Sequence, residues 1–266
     1  MSFDGLLPHL AYRCCEFRQL RKRDIQRPAL ELGCGDGALA KSWLEERLDV
    51  GVDSLLRQAR TAARSGAYDA VCVADARALP LESDSLATVL SVSVLEHVER
   101  AEEAVREAFR VLRPGGRCIM TIASADLHRW LYYPPLLEKL RLRWLARAYR
   151  RLHDRAFKHV NLRGREEWEA AFVSAGFRIV ECRKICSPRL TRLWDAMLPL
   201  AVPNWLLGKL GLPAVPLPGF VRRALWRRFQ PPIEEDTGEG SSLLIVAEKP
   251  GGEAEAREGF CREVTR

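Results

Sequence analysis

The chain has no apolar run approaching the roughly 18 residues that a membrane-spanning helix requires, so no such helix is expected. None of its eight cysteines (14, 15, 34, 72, 118, 182, 186 and 261) belongs to a CxxC, and no cysteine pair is flanked by histidines at zinc spacing. That pattern excludes a zinc ribbon and gives no disulfide framework. All eight are read as reduced thiols, and no metal is expected. The opening Met1-Ser-Phe-Asp-Gly-Leu-Leu-Pro lacks the basic-then-apolar order of a secretory signal, which makes the cytoplasm the default location. No repeat at a solenoid period is present. What remains is the composition of a soluble globular chain whose 266 residues suit one generous domain, or one domain with additions.

Positive charge is unevenly placed. Residues 128–165 carry eleven Lys/Arg against two Asp/Glu, and residues 189–230 carry seven against one. These two stretches hold more positive charge than the net +7 of the whole chain, so the remainder is mildly acidic. The basic character belongs to two separate inserts. They also contain five of the seven tryptophans, at 130, 144, 194, 205 and 226.

Before the inserts the pattern alternates. A helix at 5–24 is followed by strands at Pro28–Leu32, Asp49–Val52, Ala70–Ala74, Ser85–Val92 and Arg117–Ala123. Helices at 37–47, Leu55–Ser65 and Ala101–Leu112 separate them. Strands alternating with helices at this spacing predict a parallel, doubly wound α/β sheet. After Ser124 the rhythm breaks. The first insert, about 126–163, predicts a helix over 136–158 with Leu137, Leu140, Trp144, Ala148, Leu152 and Ala156 on its apolar face. A helix at Glu166–Ala175 and a strand at Phe177–Ile185 resume the pattern. The second insert, about 187–240, is followed by a strand at Ser242–Glu248 and a loose tail over 251–266. The expected organisation is an N-terminal helical cap (1–27), one domain (28–250) carrying both inserts, and the tail.

The chemistry concentrates in Ala29-Leu-Glu-Leu-Gly-Cys-Gly-Asp-Gly37, followed by Val50-Gly-Val-Asp53. An apolar run gives way to three alternating glycines, where a side chain would strike a bound ligand or the strand-to-helix turn. A second apolar run ends in an aspartate placed to hold a ribose. Alone, the loop leaves the nucleoside cofactor open, because Gly33-Cys-Gly-Asp-Gly-Ala38 also fits the G-x-G-x-x-A variant of dinucleotide-binding proteins.

Four further segments narrow it. Asp75-Ala76 follows the third strand, and Asp84-Ser-Leu-Ala-Thr-Val-Leu-Ser-Val-Ser-Val-Leu-Glu-His-Val98 spans the fourth. Val111-Leu-Arg-Pro-Gly-Gly116 precedes the fifth, and Glu31 sits two residues before the first glycine. Together these resemble the class I S-adenosylmethionine (SAM)-dependent methyltransferases, in the branch (methyltransferase-11 type) that methylates small molecules and lipid quinones. The resemblance covers 28–124 closely, and 159–186 and 242–249 more loosely. It implies a Rossmann-like doubly wound seven-stranded sheet, mostly parallel with the last strand antiparallel, and SAM as cofactor. Glu31, Gly33, Cys34, Gly35 and Gly37 would line the methionine end. Asp53, with Ser54 beside it, would accept both ribose hydroxyls. Asp75 and the Ala76 amide would meet the adenine, and Ser91, read as following the fourth strand, would lie near the sulfonium.

Methyl transfer is an in-line displacement in which the protein aligns the partners and excludes water. A base is needed only when the acceptor starts protonated, and the candidates are His97 and His159. His128 and His153 are expected on the surface of the insert. Ser91-Val-Ser-Val stands where nucleic-acid amino methylases carry Asn-Pro-Pro-Tyr, which disfavours a nucleic-acid partner. The expected acceptor is a small or lipid-like molecule methylated at oxygen or carbon. The basic, Trp- and Leu-rich inserts suit peripheral contact with an anionic membrane. The alternatives are a non-catalytic SAM-fold scaffold and an RNA methyltransferase.

Overall fold

A computed structural model describes residues 7–201, 203, 207 and 218–251. Seven strands form one sheet in the order β3-β2-β1-β4-β5-β7-β6: β1 (Ala29–Leu32), β2 (Leu48–Asp53), β3 (Tyr68–Val73), β4 (Leu86–Val92), β5 (Leu112–Ala123), β6 (Arg178–Ile185) and β7 (Ser242–Glu248). β1 and β4 are buried along their whole length, the signature of parallel strands covered on both faces. Parallel register pairs Leu32 with Val52 on one side and with Ser91 on the other. β7 runs against β5, because the Gly115 amide donates to Lys249 and the Ser124 amide to Ser241 at its opposite end. The expected sheet, including its antiparallel last strand, is therefore present.

Strand order jumps from β1 to β4. That jump leaves a crevice at the C-terminal ends of the two strands, where open α/β sheets bind their ligands. The glycine loop after β1 and the Ser93–Val94 turn after β4 both stand there.

The chain divides into two compact units. The sheet unit comprises Arg21–Ile122, Val160–Cys182 and the chain from Leu244 onward. Its helices are α2 (Ala38–Trp43), α3 (Leu56–Ser65), α4 (Ala101–Val111) and α8 (Arg165–Ser174). α4 buries Ala101, Ala104, Val105, Ala108 and Val111, the i, i+3, i+4, i+7 stripe expected of an amphipathic helix. The helical unit comprises the chain up to Leu20, Ala123–His159 and Arg183–Leu243. It holds α1 (Leu7–Leu20), α5 (Leu127–Trp130), α6 (Tyr133–Lys139), α7 (Arg143–Phe157), α9 (Pro188–Met197) and α10 (Gly219–Glu234). The N-terminal helix and both inserts thus share one unit, in which α1 packs on α9 and α10.

Three expectations change. The helix predicted over 136–158 is two helices, broken where Arg141 takes a left-handed φ of 60°. Its expected apolar face does not face inward: Leu140 is 61%, Trp144 66% and Leu152 65% exposed, while Ala146 and His153 are buried. The inward face is instead held by polar and aromatic partners described below. β5 begins at Leu112 rather than Arg117, because Pro114–Gly116 forms an irregularity in the pairing with β4 and stays within the strand. The seven cysteines among the described residues are free thiols. Trp205, Cys261 and the tail from 252 onward lie outside the described residues.

Candidate functional site

The loop after β1 is built on backbone geometry. Gly33, Gly35 and Gly37 all have positive φ, a region that side chains strain to enter. Two of these glycines are needed for different reasons. A Cβ on Gly33 would collide with the Val94 methyls, whereas one on Gly35 would meet nothing within 4 Å. Gly33 lets the β1 loop close on the β4 turn, and Gly35 faces open space. The Asp53 carboxylate at the end of β2 braces the loop: one oxygen accepts the Gly35 amide at 2.9 Å and the other the Leu55 amide at 2.8 Å. Each oxygen keeps lone-pair capacity for one further donor.

Glu31 is buried on β1 and accepts the Tyr68 hydroxyl at 2.6 Å. Burial and the Glu31 carboxylate push the Tyr68 phenol far above its ordinary range, so it remains a donor. Gly51 makes room for this contact, since a Cβ there would sit 3.0 Å from the Tyr68 ring. Burial, then the Glu31 and Asp53 carboxylates, push the Cys34 thiol up to about 12. Cys34 is therefore a neutral, packed group with no nucleophilic character at physiological pH.

Residues 30–120 match the family described as a methyltransferase domain. Malonyl-[acyl-carrier protein] O-methyltransferase of Enterobacter lignolyticus is 33% identical over 98 residues, which are 36% of this chain and 39% of that protein. Among solved structures, a SAM-dependent methyltransferase from Thermotoga maritima, described as a possible histamine N-methyltransferase, superposes with a TM-score of 0.57 at 22% identity. The match covers 92% of this chain and 91% of that one. Geranyl diphosphate C-methyltransferase from Streptomyces coelicolor, solved with Mg2+, geranyl diphosphate and S-adenosylhomocysteine, gives 0.51 at 15% identity, covering 88% and 76%. Residues 30–120 are a class I SAM-dependent methyltransferase domain. Curated relatives are matched over only 29% to 52% of their own length.

Within the methyltransferase domain the remaining candidates vary in setting. Asp75 forms a forked ion pair with Arg77 and also accepts the Arg77 amide. The guanidinium hydrogen bond, with that amide, holds its carboxyl at about 2. Ala76 is half-buried and Ser54 exposed. Ser91 lies inside β4 rather than after it, buried, with its hydroxyl donating to the Leu32 carbonyl at 3.1 Å. The parallel pairing of β4 with β1 fixes it there. His97 is exposed on the short turn after β4 (Leu95–His97). The Glu96 carbonyl in that turn receives the Val160 and Asn161 amides, so the chain leaving the first insert docks on it.

His159 lies in the helical unit. The structure gathers it with His128, His153 and Asp154. His153, expected on the surface, is buried, because Tyr149, Phe157 and Trp194 enclose its ring. A buried carboxylate, Asp195 on α9, ties the inserts together. It accepts the Tyr132 and Tyr133 amides on one oxygen and the Tyr149 hydroxyl on the other. Sequence reasoning missed Tyr68, Val94, Arg77 and Asp195. Only Arg77 had a local signal, its closeness to Asp75.

Proposed function

We propose that the protein transfers a methyl group from SAM to a small, lipid-like acceptor at oxygen or carbon. The observation that carries this reading is the Gly33–Gly37 loop braced by Asp53 at the β1/β4 crevice, with open space over Gly35. That arrangement fits a nucleoside with a small charged tail: a backbone cradle for the amino-acid end and a carboxylate with spare acceptor capacity for the ribose. When bound, SAM supplies a methyl group already activated by the sulfonium charge. Glu31 and the loop from Gly33 to Gly37 hold the amino-acid end, Asp53 the ribose, and Asp75 with the Ala76 amide the adenine. Asp75 then exchanges part of its Arg77 pairing for the ligand. Where the acceptor begins as a hydroxyl, His97 would accept its proton, and bound SAM would supply the methyl group.

The lipid-like acceptor rests on the helical unit. An apolar groove of about 500 Å³ opens there, lined by Tyr133, Leu137, Leu145, Tyr149, Leu152 and Pro199 among others. On α7, Trp144 and Leu152 are exposed beside the exposed Arg143, Arg147, Arg151 and Arg155. An apolar stripe flanked by arginines is the surface of a helix that rests in an anionic membrane interface. No described helix is long and apolar enough to cross a membrane. Incubation with methyl-labelled SAM and a cell extract, followed by phase separation, tests the reading. Label is expected in the organic phase and should be lost in Asp53→Ala. Label found only in RNA or protein would overturn it.

A further inference from the structure

The first insert is closed by a cluster of groups brought together from its two ends. His128 on α5 donates from Nε2 to Asp154 Oδ1 at 2.8 Å. His153 Nδ1 and His159 Nδ1 stand 3.7 and 3.6 Å from the same oxygen. One donor atom each from His128, His153 and Asp154 lie within 4.8 Å of one another. The His153 side chain is only 2% exposed, and neither ring nitrogen has a hydrogen-bond partner. A buried imidazole with both nitrogens unsatisfied is costly unless something binds it. Phe157 at 4.7 Å and Trp194 at 5.5 Å between ring centroids wall the imidazole, and Asp154 Oδ1 stands 3.7 Å from Nδ1, beyond hydrogen-bond reach.

We propose that His128, His153 and Asp154 bind a divalent transition metal of the zinc class, with the fourth position open to a further donor. The donor set is imidazole and carboxylate, which suits Zn2+ and its neighbours. Metal–nitrogen bonds near 2.0–2.1 Å imply donor atoms roughly 3.4 Å apart in a tetrahedron. The His153 nitrogen already stands near that spacing from Asp154 Oδ1, and His128 needs to withdraw by about half an ångström. His128 and Asp154 are each 29% exposed, which leaves a path for the ion. Asp154 sits in the last turn of α7, whose C-terminal carbonyl end favours a cation. The ion would join α5 at the start of the insert to the last turns of α7 near its end. It is a structural clasp and takes no part in methyl transfer, so this proposal stands independently of the acceptor.

The test uses the tag-free full chain, treated with chelator, desalted and titrated with Co2+ and then Zn2+. One equivalent of Co2+ is expected to bind with the visible bands of a tetrahedral nitrogen–oxygen site, to be displaced by Zn2+, and to raise the melting temperature. Losing a ligand should exceed the 10- to 100-fold effect of outer-shell changes, so His128→Ala should weaken Zn2+ by more than about 100-fold. His128 is half-exposed, and Asp154→Asn provides a second variant should the first not fold. Absence of saturable binding, a cobalt–thiolate band placing the ion on cysteine, or affinity unchanged in both variants would overturn the proposal.

Discussion

The two units hold their carboxylates in different ways. In the sheet unit, Asp53 and Asp75 at strand ends are held by amides one to two dozen residues away or less: Gly35 and Leu55 for Asp53, Arg77 for Asp75. In the helical unit, Asp195 is bonded to groups 46 to 63 residues distant, and Asp154 to a histidine 26 residues away. The first kind of site is written into short motifs, because backbone geometry and a neighbouring strand fix it. The second exists only after helices from separate inserts pack, so no local pattern announces it.

The largest effect should separate the units. Asp195→Ala removes three hydrogen bonds to a buried carboxylate and strands two amides, a loss of about 3 to 5 kcal/mol. Hydrogen exchange should show the lost protection in 123–159 and 183–243, with β1, β2 and β4 retained. Equal loss in both units would erase the contrast.

Within the sheet unit, two glycine substitutions sharpen it. Gly33→Ala meets Val94 and a strained φ together, and should cost about 3 kcal/mol in denaturant unfolding. Gly35→Ala meets only the strained φ, about 1 kcal/mol, yet should lower SAM affinity more than tenfold because its methyl enters the space assigned to the cofactor. SAM affinity unchanged in Gly35→Ala would remove the cofactor from that space.

The smallest effect concerns pH. Asp75 has its carboxyl held at about 2 by Arg77, so the pair stabilises the fold above the ordinary aspartate value near 3.9. That contribution is lost as pH falls through about 2. The pair is partly exposed and screened by solvent, so Arg77→Ala should leave acid stability nearly unchanged. A larger change would place Asp75 in a drier setting than the structure gives it.

Legibility followed the same divide. The alternation of strands and helices and the place of the glycine loop after β1 were readable because apolar runs and φ-demanding glycines are local signals. Ser91 was placed after the fourth strand although the predicted span Ser85–Val92 already contained it, and the structure seats it inside β4. Trp144 and Leu152 read as core because helical periodicity reports a face without saying what it meets. His153 was taken for surface among arginines, although Tyr149, Phe157 and Trp194 bury it. Tyr149 and Phe157 lie one helical turn to either side, but Trp194, which completes the enclosure, lies far along the chain on α9, beyond the reach of any local window.

The most direct test of the central claim is titration calorimetry of the intact protein with SAM and, separately, with NAD(P)H. The account predicts one-to-one binding of SAM, no binding of NAD(P)H, and a roughly 10- to 100-fold loss of SAM affinity in Asp53→Ala, the equivalent of one or two hydrogen bonds to a charged group. Binding of NAD(P)H in place of SAM, or SAM affinity unaltered in Asp53→Ala, would contradict it.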